Sequence, residues 1–317
     1  MSKNDTQFEW LATESAPQHY PMKVIQGTFI YRGENHGLYV PSGGTLRGGW
    51  GEAVSNHHDG EKFKPLPDRL KIIFFSNAEN QFYSGEFDLP YEKILALFRD
   101  GVENPIDLGK GKTFPVYDRM MVGIAPGGAV AVWVKGKECR EVFFGQAQKI
   151  ELDPSRAFAL PFRDKPDADA YIAKQLVNSL RPEELESLKK DGIPFGLWAR
   201  YRNLYDWRLT TSAGHSFSNK PTVAYLNGES LGEWIFADTN APLRPVPSYV
   251  SFRSADKTLY TVTLEEFETL AAFEKLGANG KKVYLEFEPR LPRTQLKIRL
   301  YNDKESIVLK KFVSDDW

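Results

Sequence analysis

The segment LPDRLKIIFFSNAENQFYSGEFDLPYEKILALF, residues 66–98, decides the predicted architecture of this chain. Its two apolar runs, separated by a polar turn at residues 76–80, predict two adjacent strands that pair as an antiparallel hairpin. The amphipathic pattern that follows Pro90 predicts a helix whose apolar side carries Ile94, Leu95 and Phe98. A sheet covered by one such helix is an α+β arrangement.

A second segment, VPSYVSFRSADKTLYTVTLEEFETLAAF at residues 246–273, repeats the order strand, turn, strand, helix. Phe267, Leu270 and Phe273 are the core positions predicted for its helix. The pairs that match between the two segments are Pro67 with Pro247, Ser76 with Ser254, Tyr83 with Tyr260, Leu89 with Leu264 and Phe98 with Phe273. The shared order predicts a duplicated unit.

Each segment is followed by a region that reads strand, turn, strand, turn, strand, at residues 122–144 and 285–309. Between the two copies, residues 166–191 are strongly helical and predict a spacer. We therefore predict an α+β fold of two tandem similar units, each an antiparallel sheet with one packed helix. The predicted domains are residues 1–155, the first repeat, and residues 156–317, the helical spacer with the second repeat.

The composition excludes several classes of function. The 317 residues include 41 Lys and Arg against 42 Asp and Glu, so no net charge steers the protein toward nucleic acid. No apolar run approaches the roughly 20 residues of a membrane-spanning helix. The single cysteine, Cys139, excludes an internal disulfide and multi-cysteine zinc sites.

Motifs for catalysis and for cofactors are incomplete. Residues 108–115 lack the first glycine of a phosphate-binding loop, and residues 214–218 lack the closing glycine of a nucleophile elbow. His57 and His58 are adjacent, which points their side chains to opposite faces of a strand rather than to one metal ion. We predict no metal, no cofactor and no catalytic residue.

Two stretches carry residue types that dominate protein interfaces. The stretch LWARYRNLYDWRL, residues 197–209, is interpreted as a strand that alternates apolar and arginine-bearing faces. The stretch PSGGTLRGGWG, residues 41–51, is interpreted as a tightly turned loop. The partner-binding residues predicted from both are Trp198, Arg200, Arg202, Arg208, Gly43, Gly44, Arg47 and Trp50.

The first 150 residues resemble the bacterial domain-of-unknown-function 2931 family. The resemblance rests on Tyr-Pro-Met at residues 20–22, Pro-Ser-Gly-Gly at 41–44, Gly-Trp-Gly at 49–51 and Asp-Leu-Pro at 88–90. It implies a small accessory protein of Gram-negative bacteria, in some relatives an immunity partner of a secreted antibacterial effector such as those of type VI secretion. The second half is similar to a diverged copy.

The expected function is therefore a non-catalytic protein-binding module, with an immunity or accessory role that neutralises an effector. The alternative is an uncharacterised β-rich enzyme or a small-ligand-binding protein. Some relatives resemble lipoproteins, whereas this sequence has no cysteine near residue 1 to carry a lipid. The expected location is the cytoplasm, or the periplasm if an export signal has been removed.

Overall fold

The computed structural model describes residues 2–55, 60–107, 109, 113–212, 216–231, 243–290 and 295–316. The chain divides into two compact units, Met1–Trp198 and Ala199–Trp317. The predicted boundary lies after residue 155, and the helical residues that follow it, up to residue 191, are in the first unit.

The first unit holds most of the secondary structure. Its strands within the described residues are β1 (Ser2–Asn4), β2 (Gln7–Phe8), β3 (Leu11–Ser15), β4 (Met22–Tyr31), β5 (Gly37–Tyr39), β6 (Lys64–Pro65), β7 (Pro67–Ser76), β8 (Gln81–Asp88), β9 (Ile106–Asp107), β10 (Thr113–Phe114), β11 (Tyr117–Ala125), β12 (Ala129–Gly136), β13 (Cys139–Gln146) and β14 (Gln148–Ile150). Its helices are α1 (Tyr91–Glu103), α2 (Pro154–Phe158), α3 (Lys165–Ser179) and α4 (Pro182–Asp191), and the short α5 (Leu197–Arg200) crosses the division.

These strands form two main sheets in the first unit. One is antiparallel, in the order β14-β8-β7-β4-β5. The other has the order β13-β12-β11-β3, in which only β3 runs parallel to its neighbour. The hairpin predicted from residues 66–98 is confirmed as β7 and β8, with Phe74 opposite Tyr83 in register.

Helix α1 packs its apolar side into the core of the first unit. Ile94, Leu95 and Phe98 are all buried, which confirms the predicted core positions. Phe98 contacts Phe8 with the ring centroids 5.4 Å apart. This burial explains why a helix without a side-chain cap at Pro90 is stable, since tertiary packing supplies most helical stability.

The helices of residues 154–191 also pack on the first unit. Ile172 of α3 is buried together with Phe75 and Phe82 of the β7–β8 hairpin. Phe158 of α2 contacts Phe75 edge-on, with the centroids 5.1 Å apart. The predicted helical segment is confirmed, but its apolar residues extend the core of the first unit.

The second unit contains the strands β15 (Trp207–Thr211), β16 (Thr222–Tyr225), β17 (Ser230–Leu231), β18 (Pro247–Arg253), β19 (Leu259–Leu264), β20 (Val283–Arg290), β21 (Gln295–Tyr301), β22 (Ser306–Leu309) and β23 (Phe312–Asp316), and the helix α6 (Glu266–Leu276). Within this unit, β23-β19-β18-β16-β17 are neighbours in that order and pair antiparallel. The other sheet has the order β15-β20-β21-β22, with β15 parallel to β20.

Helix α6 buries Leu270 and Phe273, as the sequence predicts. Phe267 is 43% exposed, so its assignment to the core is wrong. The helix starts only at Glu266, capped by the Glu265 carboxylate, which accepts the backbone N–H of Glu268. Phe267 lies in the first turn of the helix and stays exposed there, although its three-residue spacing from Leu270 matches the helical period.

The coarse prediction of a mixed α and β fold built on antiparallel sheets is confirmed. The three strands predicted for residues 122–144 are β11 to β13, and those predicted for residues 285–309 are β20 to β22.

Candidate functional site

The glycine-rich loop between β5 and β6 is held at both sides of an exposed tip. Leu46 is buried, and its backbone N–H and C=O both pair with those of Met22, at 2.7 and 3.0 Å. Val40 on the other side donates its backbone N–H to the Gly27 carbonyl at 2.9 Å. Residues 42–45 between these anchors are exposed. Gly43 has φ +112°, a conformation that a residue with a Cβ adopts only under strain.

Three polar side chains of the edge strand β3 hold the rest of this loop. Thr13 Oγ1 donates to the Ser55 carbonyl at 2.8 Å, and Ser15 Oγ donates to the Gly49 carbonyl at 2.9 Å. Glu14 Oε2 accepts from Ser55 Oγ at 2.7 Å. All three β3 side chains are buried, and their hydrogen bonds offset the free energy lost when polar groups leave water. The loop is fixed to the sheet at residues 49–55.

Arg47 of the loop binds a buried carboxylate on α4. Its guanidinium donates to Glu184 Oε2 at 3.1 Å, and the Glu184 side chain is only 3% exposed. Glu184 also accepts from the backbone N–H of Arg181 at 2.8 Å and from the Arg181 guanidinium at 3.0 Å. His19 Nδ1 lies 3.0 Å from Glu184 Oε1. One carboxylate thus connects the loop, the start of α4 and the chain entering β4.

The electrostatics of this cluster favour the ionised carboxylate. Burial by itself would raise the pKa of Glu184, but the hydrogen bonds from Arg181, the charge of Arg47 and the contact with His19 outweigh it and lower the pKa to about 2. Glu184 is therefore a charged residue at neutral pH that ties Arg47 in place.

Aromatic rings support the end of the same loop. The Trp50 ring contacts Trp133 edge-on, with the centroids 5.1 Å apart. Trp198 packs against Tyr20 at 5.6 Å and against Trp50 at 6.4 Å. Edge-to-face aromatic pairs each add roughly 0.5–1.5 kcal/mol beyond their buried area. Trp50 and Trp198, both predicted as partner contacts, are thus part of the packing that supports the loop.

The predicted strand at residues 197–209 is wrong in its first half. Residues Leu197–Arg200 form a helical turn, and strand β15 begins only at Trp207. The Leu197 backbone N–H donates to the Pro194 carbonyl, and the Arg202 backbone N–H donates to the Ala199 carbonyl. These backbone groups therefore make local hydrogen bonds rather than bonds to a neighbouring strand. Trp198 is 2% exposed. The alternation of apolar and charged residues that indicated a strand therefore does not correspond to the two faces of a strand in this segment.

The three predicted arginines belong to the second unit. Arg200 is paired with Glu274 at 2.7 Å, and Arg208 with Asp206 at 2.7 Å. Arg202 is half-buried and has partners of its own. The structure therefore brings together Gly43, Gly44, Arg47 and Trp50 around one loop, and places Trp198 beneath it.

The sequence analysis missed His19, Arg181, Glu184 and Glu14. Glu184 carried a local signal, because a glutamate at the third position of a helix typically accepts the N–H at the helix start. Its contact with Arg47 joins residues 137 positions apart and has no local signal. His57 and His58, considered as metal ligands, lie outside the described residues. In the described part of the chain, no group of three or more His, Cys, Asp or Glu side chains is placed to hold a metal ion.

The fold and this loop define a mixed α and β protein whose exposed segment is held on a rigid sheet. The family described as "Protein of unknown function (DUF2931)" matches residues 1–196. The match covers more than half of the chain and nearly the whole first unit, and the chain belongs to this family. No curated protein and no solved structure matches the chain.

Among the helices of the described ranges, none combines the length and the apolar character needed to cross a membrane.

Proposed function

We propose that this protein is a non-catalytic binding protein that recognises another protein through the glycine-rich loop of its first unit. The observation that carries the proposal is the exposed tip at residues 42–45, presented between the buried anchors Val40 and Leu46. Recognition residues are commonly found on loops that a rigid scaffold positions. A loop already held in one conformation loses little entropy when it binds.

The proposal includes two similar units in tandem. The order β14-β8-β7-β4-β5 of the first unit has its counterpart in β23-β19-β18-β16-β17, and β13-β12-β11-β3 has its counterpart in β22-β21-β20-β15. In both units the second of these sheets has one parallel pair, β3 with β11 and β15 with β20. One helix follows the equivalent hairpin each time. Two such units can engage one partner at two places, and this raises affinity without new contacts.

The narrower form of the proposal is an immunity or accessory protein that neutralises a secreted antibacterial effector. Its support is the resemblance of the first half to accessory proteins of that kind. The second-unit residues Arg200, Arg202 and Arg208 stay a prediction as further partner contacts. Arg200 and Arg208 would have to exchange Glu274 and Asp206 for a partner carboxylate, which reduces the net gain in binding energy.

The test is affinity capture from the native bacterium with mass spectrometry, using three versions of the full chain. A loop variant carrying Ser42→Arg and Thr45→Arg is compared with the wild type and with Asn35→Arg, an equally exposed change in the turn between β4 and β5. We expect a protein captured by the wild type and by Asn35→Arg to be lost with the loop variant. Equal capture by all three would exclude the loop, and capture of no protein would contradict protein binding.

A partner that is an antibacterial effector gives a second readout. Co-expression of the wild type should then protect a sensitive strain from that effector, whereas the loop variant should not. Protection by both would show that neutralisation uses another surface.

Small-ligand binding is the second candidate function, and one observation favours it. A cavity of about 220 Å³ opens beside the glycine-rich loop, between strands β3 and β4. A small molecule in it would contact Gly44, one of the predicted binding residues.

A further inference from the structure

A groove of about 260 Å³ lies on the sheet β14-β8-β7-β4-β5, on the face opposite the core of the first unit. Two rows of three cross-strand neighbours line it: Gln26, Ile73 and Ser84, and Thr28, Lys71 and Glu86. Opposite residues of an antiparallel pair, and residues two apart on one strand, lie on the same face of a sheet. The three interior strands of the sheet therefore point six side chains into one space.

Helices α2 and α3 cover the neighbouring part of this face and leave the groove open. The next row of the sheet, Phe75 and Phe82, is buried together with Ile172 of α3. Phe158 of α2 packs on Phe75 in the same cluster. Three of the six groove residues are exposed. The face thus changes from apolar to polar where the helices stop covering it.

A bulge in β4 places Gln26 in the groove. Val24 and Gln26 face the consecutive residues Phe74 and Ile73 of β7, so Ile25 is an extra residue in the pairing. Val24 points into the core, and regular alternation would turn Gln26 to the same side. The extra residue reverses this and puts the Gln26 amide on the outer face. A bulge that redirects one side chain is typical of strands that carry a site.

The neutral polar side chains of the groove are available to a ligand. Gln26, Thr28 and Ser84 make no side-chain hydrogen bond with any residue that the structure describes. An amide and a hydroxyl each both donate and accept hydrogen bonds. The two charges of the groove are already paired, with Lys71 Nζ 3.1 Å from Glu86 Oε2. The groove therefore favours a neutral ligand that both donates and accepts hydrogen bonds.

Size and chemistry together favour a single sugar ring. Sites for drug-sized ligands typically occupy about 300–1,000 Å³, and this groove of about 260 Å³ is smaller. Sugar hydroxyls donate and accept like the side chains of Gln26, Thr28 and Ser84. The C–H face of the ring suits the half-buried Ile73 between them. A charged ligand gains less here, because it competes with a pair that is already formed.

We propose that this groove binds one neutral sugar ring, with Gln26, Thr28 and Ser84 hydrogen-bonded to its hydroxyl groups and Ile73 against its C–H face. The inference goes beyond protein recognition and does not depend on the glycine-rich loop, so either proposal can fail without the other. The same ring is offered by a free monosaccharide and by the end of a glycan chain.

The test uses the methyl glycosides of glucose, galactose and mannose as probes, and cyclohexanol as a six-membered ring with a single hydroxyl. Amide chemical shifts of the full chain are followed by NMR. We expect saturable shifts at Gln26, Thr28 and Ser84 with at least one glycoside, in about the millimolar range. Cyclohexanol should bind at least about tenfold more weakly, because each net hydrogen bond contributes about fivefold. No saturable binding of any glycoside, or equal binding of cyclohexanol, would overturn the proposal.

Two hydroxyl variants and a matched control assign the binding to the groove. Thr28→Val keeps the branched shape of the side chain and Ser84→Ala removes only an oxygen, and each should weaken glycoside binding about fivefold. Thr263→Val makes the same change at an exposed position of β19 and should change nothing. If either hydroxyl variant does not fold, Gln26→Ala at an exposed residue should give the same loss. Unchanged glycoside binding in the folded variants would exclude this site.

The source of the sugar ring is tested with one further comparison. The glycoside that binds best is compared with a disaccharide of the same sugar on the wild-type chain. Equal or tighter binding of the disaccharide supports the end of a glycan chain. Weaker binding of the disaccharide supports a free monosaccharide, because the second ring then has no room beside the groove.

Discussion

The two units contain one similar tryptophan contact each but differ in a buried carboxylate. Trp10, just before β3, donates its indole N–H to the Pro65 carbonyl at 3.2 Å, and Trp207, at the start of β15, donates to the Pro245 carbonyl at 3.0 Å. Each of these prolines lies two residues before the strand proline matched in the sequence, Pro67 or Pro247. The difference is outside the core. Only the first unit shows, in the described residues, a carboxylate as buried as Glu184 under a loop arginine.

The aromatic pairs across the central hairpins repeat in the same way. Phe74 and Tyr83 stack with the centroids 5.3 Å apart at 19°, and Phe252 and Tyr260 stack at 5.2 Å and 20°. Tyr83 and Tyr260, which the sequence comparison paired, thus each stack on a phenylalanine of the neighbouring strand. A core can be kept while the surface changes because buried side chains contact neighbours on all sides, whereas exposed ones contact mainly water.

A shared sequence pattern does not always mark the same element. Residues 193–195, Ile-Pro-Phe, have the same apolar-proline-apolar pattern as Tyr-Pro-Met at residues 20–22 before β4, but Pro194 and Leu197 belong to a turn and to α5. Under the proposed duplication, β4 corresponds to β16, which has four residues, Thr222–Tyr225, against the ten of β4. An apolar-proline-apolar entry is too short a signal to fix register.

Removing Trp10 or Trp207, which make similar hydrogen bonds in the two units, should have the largest effect on stability. Unequal losses of stability would show that the two contacts are not alike. Trp10→Ala and Trp207→Ala should each lower the free energy of unfolding by about 4 kcal/mol, since both side chains are fully buried. Urea unfolding of the full chain measures this. The conservative changes Trp10→Phe and Trp207→Phe serve as controls and should cost less. A cost below about 1 kcal/mol for one alanine variant only would show that the two contacts are not equivalent.

Glu184→Gln tests the feature that is particular to the first unit. The pKa of Glu184 is about 2 in the folded protein and lower than its ordinary value, so its ionisation stabilises the fold above that ordinary value and the contribution is lost as pH falls from about 5 to 2. We expect roughly 2 kcal/mol at neutral pH, allowing for solvent screening of the exposed part of Arg181. Glu184→Gln should remove both this stability and its part of the pH dependence.

The matched control for this variant is Glu183→Gln, because the Glu183 side chain is 66% exposed beside the same Arg181. Its free energy of unfolding should stay within about 0.5 kcal/mol of the wild type. An identical fall of stability between pH 5 and pH 2 in the wild type and in Glu184→Gln would refute the role of Glu184.

Arg200→Ala should have the smallest effect and sharpens the contrast between a buried and an exposed carboxylate. The Arg200 side chain is 51% exposed and that of Glu274 31%, so their ion pair should contribute less than about 1 kcal/mol and weaken in high salt. A double-mutant cycle with Glu274→Gln isolates the pair energy from other effects of each change. A pair energy above about 2 kcal/mol, insensitive to salt, would place this pair in the same class as Glu184.

Local pattern predicted the helices α1, α3, α4 and α6 and most of the long strands. Ile94, Leu95 and Phe98 follow the helical period, and the alternation in residues 296–300 follows the strand period, so each is fixed by neighbours a few residues away. Phe267 was misassigned because its spacing from Leu270 matches the helical period, whereas its exposure in the first turn depends on what packs there. The family resemblance covered the first unit for a similar reason, since its short motifs lie on contiguous residues.

By itself the sequence determined the mixed fold, the order of its hairpins and helices, and the glycine-rich loop with Arg47 as a candidate site. Only the tertiary structure decided that Arg47 meets Glu184, that Glu14 lines a cavity, and that Trp198 is buried rather than presented on a strand. Periodicity records the geometry of residues that are two to four positions apart. Contacts between residues more than a hundred positions apart in the sequence depend on how the folded helices and strands pack against each other. No local pattern encodes that packing.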